Sequence, residues 1–96
     1  MTTTKRVTVY QCATQEQFSR NMMAFITGAY TPVEDMEPVV MLREHNTDDH
    51  AILEDMFSKM NSHEYNYSLN YSMSVGDVVQ IDKVYYRCMP TGWDTI

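Results

Sequence analysis

Three histidines, two cysteines and thirteen carboxylates are the side chains with which this 96-residue chain could do nucleophilic, acid–base or metal chemistry. A serine or cysteine nucleophile needs a base within hydrogen-bond reach, and the spacing sets none of His45, His50 and His63 beside Cys12, Cys88 or the serines. His45 and His50 flank the start of a predicted helix, so they do not share a helical face as the histidines of an HExxH zinc motif do. Adjacent acids occur at Glu34-Asp35, Asp48-Asp49 and Glu54-Asp55, but neighbours in sequence point to different sides of a helix or strand. They read as solvated faces. Gly28, Gly76 and Gly92 are isolated, and without a GxGxxG or GxxxxGK loop nothing cradles a phosphate. Cys12 and Cys88 form no CxxC pair, so they read as buried free thiols. The expectation is a protein that is not an enzyme, with no catalytic residue, no metal and no cofactor.

The stronger signals concern binding. Tyr65, Tyr67 and Tyr71, joined by Tyr85 and Tyr86, stand with Asn66, Asn70 and Ser72 in the mixture of rigid aromatics and adaptable hydrogen-bonding groups that protein-binding surfaces favour. Tyrosines are also good strand residues, which leaves sheet cover as the alternative. Residues 34–64 hold nine of the thirteen acids against Arg43 and Lys59, a local charge of −7 in a chain whose net charge is −6. Such a field repels nucleic-acid backbones and suits a basic protein partner. The candidate partner-binding residues are therefore Glu34, Asp35, Glu37, Asp48, Asp49 and Asp55, with Tyr65, Tyr67 and Tyr71 as anchors. Direct nucleic-acid binding would require the fold to gather Lys5, Arg6, Arg20, Lys83 and Arg87 into one patch.

The elements that must position these residues follow from periodicity. "KRVTVYQC" alternates as a half-buried strand. "ATQEQFSRNMMAFITGAY" is a helix: Thr14 and Gln17 have capping-box spacing, Phe18, Met22, Phe25, Ile26 and Ala29 recur at helical intervals, and Gly28 then Pro32 end it. An acidic, proline-bounded loop leads to the apolar strand "PVVMLREH". The second helix, "NTDDHAILEDMFSKMNS", has Asn46 or Thr47 as cap and a core-facing seam of Ile52, Leu53, Met56, Phe57 and Met60. From Tyr65 to Val75 strict alternation fits either a long strand or an extended loop, because Asn and Ser favour turns. Three short strands close the chain, turning at Asp82-Lys83 and at Pro90-Thr91-Gly92. The order β-α-β-α-(β)-β-β-β predicts an α+β fold, two helices packed on a small, mostly antiparallel sheet.

Ninety-six residues make a single domain, 1–96, and a 44% apolar fraction with nine methionines supplies its core. With no run of 18 apolar residues and no signal-peptide core at "MTTTKRVTVY", no membrane is expected and the cytoplasm is the expected address.

The stretch "YSMSVGDVVQIDKVYYRCMPTGWDTI" resembles the C-terminal signature of the YodL-like family, small proteins and domains of phages, plasmids and other mobile elements. Ser72, Ser74, Asp77, Val78, Val79, Tyr85, Tyr86, Gly92, Trp93 and Ile96 carry the match, and "FSKMNS" is similar to the family's helix end, so it covers residues 56–96. Lys83 stands where the family's turn often holds glycine, and the family offers no catalytic residues to carry over. The resemblance implies a mobile-element protein in the cytoplasm of a host cell. The functional expectation is an accessory protein that binds and inhibits a basic host (bacterial) protein through an acidic, tyrosine-rich surface. Restriction, CRISPR and transcription machinery are candidate targets. The alternative is a structural or regulatory module, homodimeric through its C-terminal hairpin.

Overall fold

Lys5–Gln11 form strand β1, in which Val7, Val9 and Gln11 are buried while Arg6, Thr8 and Tyr10 face the other way. The computed structural model describes residues 4–45, 48–61 and 73–96, the side chain of Phe25 excepted. Helix α1, Gln15–Thr27, starts as its spacing predicts: Thr14 Oγ1 accepts the Gln17 N–H at 3.2 Å, and Gln17 Oε1 reaches back to accept the Ala13 N–H at 2.7 Å. Gly28, at φ +73°, ends the helix and donates its N–H to the Ala24 carbonyl. A single 3-10 turn, Val33–Asp35, precedes strand β2, Glu37–Glu44.

Helix α2 is Asp49–Met60. Asp48 caps it, its carboxylate accepting the His50 N–H at 3.2 Å, so the helix starts later than a cap at Asn46 or Thr47 would place it. Those two residues lie outside the described ones. So does the alternating run from Tyr65 to Ser72; its last residues, Met73–Val75, belong to no strand. Strands β3, Val78–Ile81, β4, Val84–Met89, and β5, Gly92–Thr95, complete the chain. The β3–β4 connection is the two residues Asp82 and Lys83, with Asp82 at φ +52° supplying the left-handed turn that matches strand twist.

The strands form one antiparallel sheet in the order β2-β1-β3-β4-β5. The α+β architecture and the element order are those expected. Since β2 and β3 both run antiparallel to β1 on its two sides, they run parallel to each other, and the connection carrying α2 has to cross β1. It crosses on the face that holds Val7, Val9, Val40, Val79, Ile81 and Cys88, and buries Ile52, Leu53 and Met56 there. Each such burial contributes about 1.5–3 kcal/mol. Phe57 meets Trp93 edge to face, with ring centroids 6.5 Å apart.

Candidate interaction surface

The end of the sheet where β1 finishes and β3 begins holds most of the buried polar groups: Gln11, Asn21, Thr31, Asp77 and Arg87. Asp77 lies at their centre. Its Oδ2 accepts from Gln11 Nε2 at 3.0 Å and from the Ser74 N–H at 2.9 Å, while its carbonyl accepts the Cys88 N–H. Burial nevertheless pushes its carboxyl up to about 6, because two hydrogen bonds do not restore what water gives a carboxylate. Arg87, 8% exposed, donates from Nη2 to the Thr31 carbonyl, and its guanidinium stacks 5.1 Å from the centre of the Tyr30 ring. Its Nε and the Tyr30 hydroxyl are buried without a partner among the described residues.

This polar end is what holds α1. Asn21 donates to Cys12 Sγ at 3.1 Å and accepts the Thr31 N–H at 2.8 Å. It packs flat on Gly76, where a Cβ would stand 2.5 Å from Asn21 Nδ2; the same glycine, at φ +96°, has a backbone conformation that favours glycine. Among the described side chains of α1, Asn21 and Ala24 are buried. Of the apolar row that the helical spacing picks out, Phe18 is 42% exposed, Met22 55% and Ile26 68%, Ala29 is exposed too, and the Phe25 side chain lies outside the described ones; Met23 beside the row is 54% exposed. At about 100° per residue, Phe18, Met22, Ile26 and Met23 centre roughly 150° around the helix from Asn21 and Ala24. The helix thus presents Phe18, Met22, Met23 and Ile26 to solvent and Asn21 with Ala24 to the protein.

The candidate acids divide into two groups. Glu34 and Asp35 sit on the 3-10 turn and Glu37 opens β2, with Glu37 and its neighbours on the turn at the solvent side. Gln17 Nε2 donates to the Asp35 carbonyl at 2.9 Å, which fixes this group beside α1. No described cation forms an ion pair with these three. Asp48, Asp49 and Asp55 belong to α2 and its cap, and the start of α2 lies at the opposite end of the sheet: Gln11 pairs with Glu37, whereas Lys5, which holds Asp49, pairs with Glu44. At about 3.3 Å per residue, the length of β2 separates the two ends by over 20 Å.

The second group is engaged in the fold. Asp48 caps α2 and Asp55 pairs with Lys59 at 2.9 Å. Asp49, half-buried, accepts from Lys5 Nζ and from the Tyr86 hydroxyl, each at 2.6 Å. Burial alone would raise its carboxyl, but those two partners together hold it below the usual carboxylate value, and the same bond pushes the Tyr86 hydroxyl up to about 12. Tyr85 points to the other face of the sheet, its ring 6.3 Å from that of Tyr10. Tyr65, Tyr67 and Tyr71 lie outside the described residues.

Among the described residues no three metal-ligating side chains form a group. Burial, then Asp77, raises the Cys12 thiol, and the same causes push Cys88 up to about 11; both are the reverse of an activated nucleophile. Of the five cations that a nucleic-acid patch requires, Lys5, Arg6 and Lys83 line one open depression, interleaved with Asp49 and Asp82. Arg20 is bonded to the Ala29 carbonyl and Arg87 is buried. Both sheet edges oppose strand pairing: β2 carries Pro38 and a register shift beside it, and β5 has four residues including Asp94. No described helix is long and apolar enough to cross a membrane.

The outer face of α1 is the surface that sequence reasoning missed. The spacing of its residues is plain in the sequence; the side they face is not. Composition does not mark that side either, since methionines also fill the core at Met36, Met56 and Met73. No protein-family model, curated protein or solved structure matches the chain.

Proposed function

We propose that the protein works by binding another protein and blocking it, through the outer face of α1, with the exposed carboxylates of Glu34, Asp35 and Glu37 as a separate acidic contact on the other side of that helix. The observation that carries this reading is the inverted helix: Met22, Met23 and Ile26 are more than half exposed while Asn21 is buried. Leaving four large apolar side chains in water forgoes their burial energy, and a contiguous exposed apolar row is the usual form of a contact site. The resemblance of residues 56–96 to the YodL-like family supports the biological setting, an accessory protein of a phage or mobile element acting on a bacterial host protein in the host cytoplasm. A nucleic-acid-handling defence enzyme or the transcription machinery fits best, because such proteins expose the basic grooves that exposed carboxylates match.

The test is affinity capture from bacterial lysate with the tagged protein, followed by an activity assay of the captured partner. One dominant partner is expected, inhibited by the wild type and inhibited at least tenfold less by Glu34→Lys, Asp35→Lys, Glu37→Lys combined. A captured partner whose activity is unchanged would remove inhibition. Equal capture by wild type and the triple variant would remove the acidic group from the surface.

A further inference from the structure

We infer that the sheet face turned away from α2 binds a single strand of nucleic acid, its phosphates at Arg6, Arg43 and Lys83 and its bases on the rings of Tyr10 and Tyr85. Strand register builds this face. Val7, Val9, Val79 and Ile81 point toward α2, so the residues between them on β1 and β3 point away from it. On that side Arg6 stands opposite Arg43, Thr8 opposite Gln80, and Gln80 opposite Tyr85, with Tyr10 two places along β1 from Thr8. Arg6, Arg43 and Lys83 are exposed, and Tyr10, Gln80 and Tyr85 are half-buried. The Tyr10 and Tyr85 rings lie 6.3 Å apart. They are held in place: the Tyr10 hydroxyl donates to Gln80 Oε1 at 3.0 Å, and Gln80 Nε2 donates to the Asp82 carbonyl at 2.8 Å. Fixed aromatic rings on an open sheet form a stacking surface that tolerates any sequence, because every base has a π-face.

Charge selects the occupant. Of the cations that a nucleic-acid patch was expected to gather, Arg6 and Lys83 do meet, in the open depression at the end of this face, and Arg43 joins them from β2. None of the three enters an ion pair among the described residues. The acids on this side are Asp82, whose carboxylate accepts the Arg6 N–H at 3.0 Å, and Asp94, opposite Arg87. The face is therefore net positive although the chain carries −6. The acids of α2 lie across the sheet, and Glu34, Asp35 and Glu37 lie at the far end from Arg6. At physiological salt, charges more than about 8 Å away are largely screened. An acidic protein segment would satisfy the cations and leave the ring faces in water, and a duplex keeps its bases within its own stack. A single strand satisfies both the cations and the rings.

The probe is a short fluorescein-labelled oligothymidylate, its binding read by fluorescence anisotropy from low salt upward. The wild type should bind it with a log–log salt slope of about −2, the value for roughly three phosphates contacted on a single strand. Arg6→Glu with Lys83→Glu should weaken binding at least tenfold. Tyr10→Leu with Tyr85→Leu keeps apolar bulk and removes the ring faces, and should weaken binding at least fivefold. Two measurements on the wild type keep the test open if that variant fails to fold. An abasic oligomer of the same length should bind at least fivefold more weakly than oligothymidylate. In isotope-labelled protein the amide shifts should centre on residues 6–10, 41–43 and 80–85. No binding at low salt would overturn the proposal, and so would shifts centred on residues 18–26. Equal binding of the abasic oligomer or of a duplex would overturn it in favour of plain charge attraction. A polyglutamate peptide that binds this face as tightly as oligothymidylate would do so in favour of an acidic protein segment.

Discussion

In α2, Ile52, Leu53 and Met56 are buried against the sheet and the acids Glu54 and Asp55 face water; in α1, Asn21 is buried against the protein and Met22, Met23 and Ile26 face water. Both helices have an apolar stripe, and the difference lies in what their connections must do. The α2 connection links β2 to β3 with β1 between them, so it passes over a sheet face and buries its stripe there. The α1 connection links β1 to its neighbour β2, passes over nothing, and remains at the end of the sheet. There it meets chain ends and turns, whose unpaired backbone groups call for polar side chains such as Asn21. The amphipathic period reports that a helix has two kinds of face; strand order decides which face meets the protein.

The largest effect that would break this contrast is on α2. Leu53 is 2% exposed within the core cluster, so Leu53→Ala should cost about 2–5 kcal/mol, read as a lower urea midpoint at unchanged slope. A cost under about 1 kcal/mol would mean that α2 does not carry the core and that the two helices are more alike than their exposures indicate.

The next effect belongs to the polar end that holds α1. The folded carboxyl of Asp77 is raised to about 6 from an ordinary 3.8, so the folded state holds this proton more tightly than the unfolded chain does. Its contribution to stability is then full below the unfolded value and is lost as pH rises through the folded one, by at most about 3 kcal/mol between pH 4 and 7. The substitution Asp77→Asn keeps an oxygen for Gln11 and Ser74 and leaves no proton to lose. Urea unfolding of wild type and Asp77→Asn at intervals across that range should show the variant gaining on the wild type as pH rises. Parallel profiles would show that Asp77 is not held in a medium that disfavours its charge.

The same contrast marks how far the sequence could be read. The α+β architecture, the element order, the Thr14–Gln17 cap and the Asp82-Lys83 turn are local signals, carried by periods and by residues a few positions apart. Most of the α2 seam is legible for the same reason, since Ile52, Leu53 and Met56 lie on one side of one helix and are buried with Met60 half-buried, but Phe57, expected in the same seam, is 39% exposed. What is not legible depends on which strands are neighbours. The exposure of Phe18, Met22 and Ile26 follows from β1 and β2 being adjacent. The engagement of Asp49 follows from Lys5 and Tyr86 meeting it from two other strands. The division of the acids into two groups follows from β2 lying between them. None of these has a signature in a window of a few residues, so an acidic segment that counts as one feature in sequence becomes two groups in space, only one of them engaged by the fold.

The smallest expected effect on stability is the most decisive for the outer face of α1. Glutamine matches methionine in helix propensity and slightly exceeds isoleucine, so Met22→Gln with Ile26→Gln changes what the helix shows to water without weakening the helix itself. At 55% and 68% exposure the two side chains have little burial to lose, and the double variant should unfold within about 0.5 kcal/mol of the wild type. Set beside Leu53→Ala, this is a direct measure of the contrast between the helices, because each change removes apolar surface from a helix and the location is what differs. A cost above about 2 kcal/mol would mean that the folded chain itself covers the row, which would make α1 a second core helix and remove the surface on which the binding reading stands. A near-zero cost, together with weaker capture of a partner by a Met22→Glu, Ile26→Glu variant, would mean that these side chains serve a contact outside the fold.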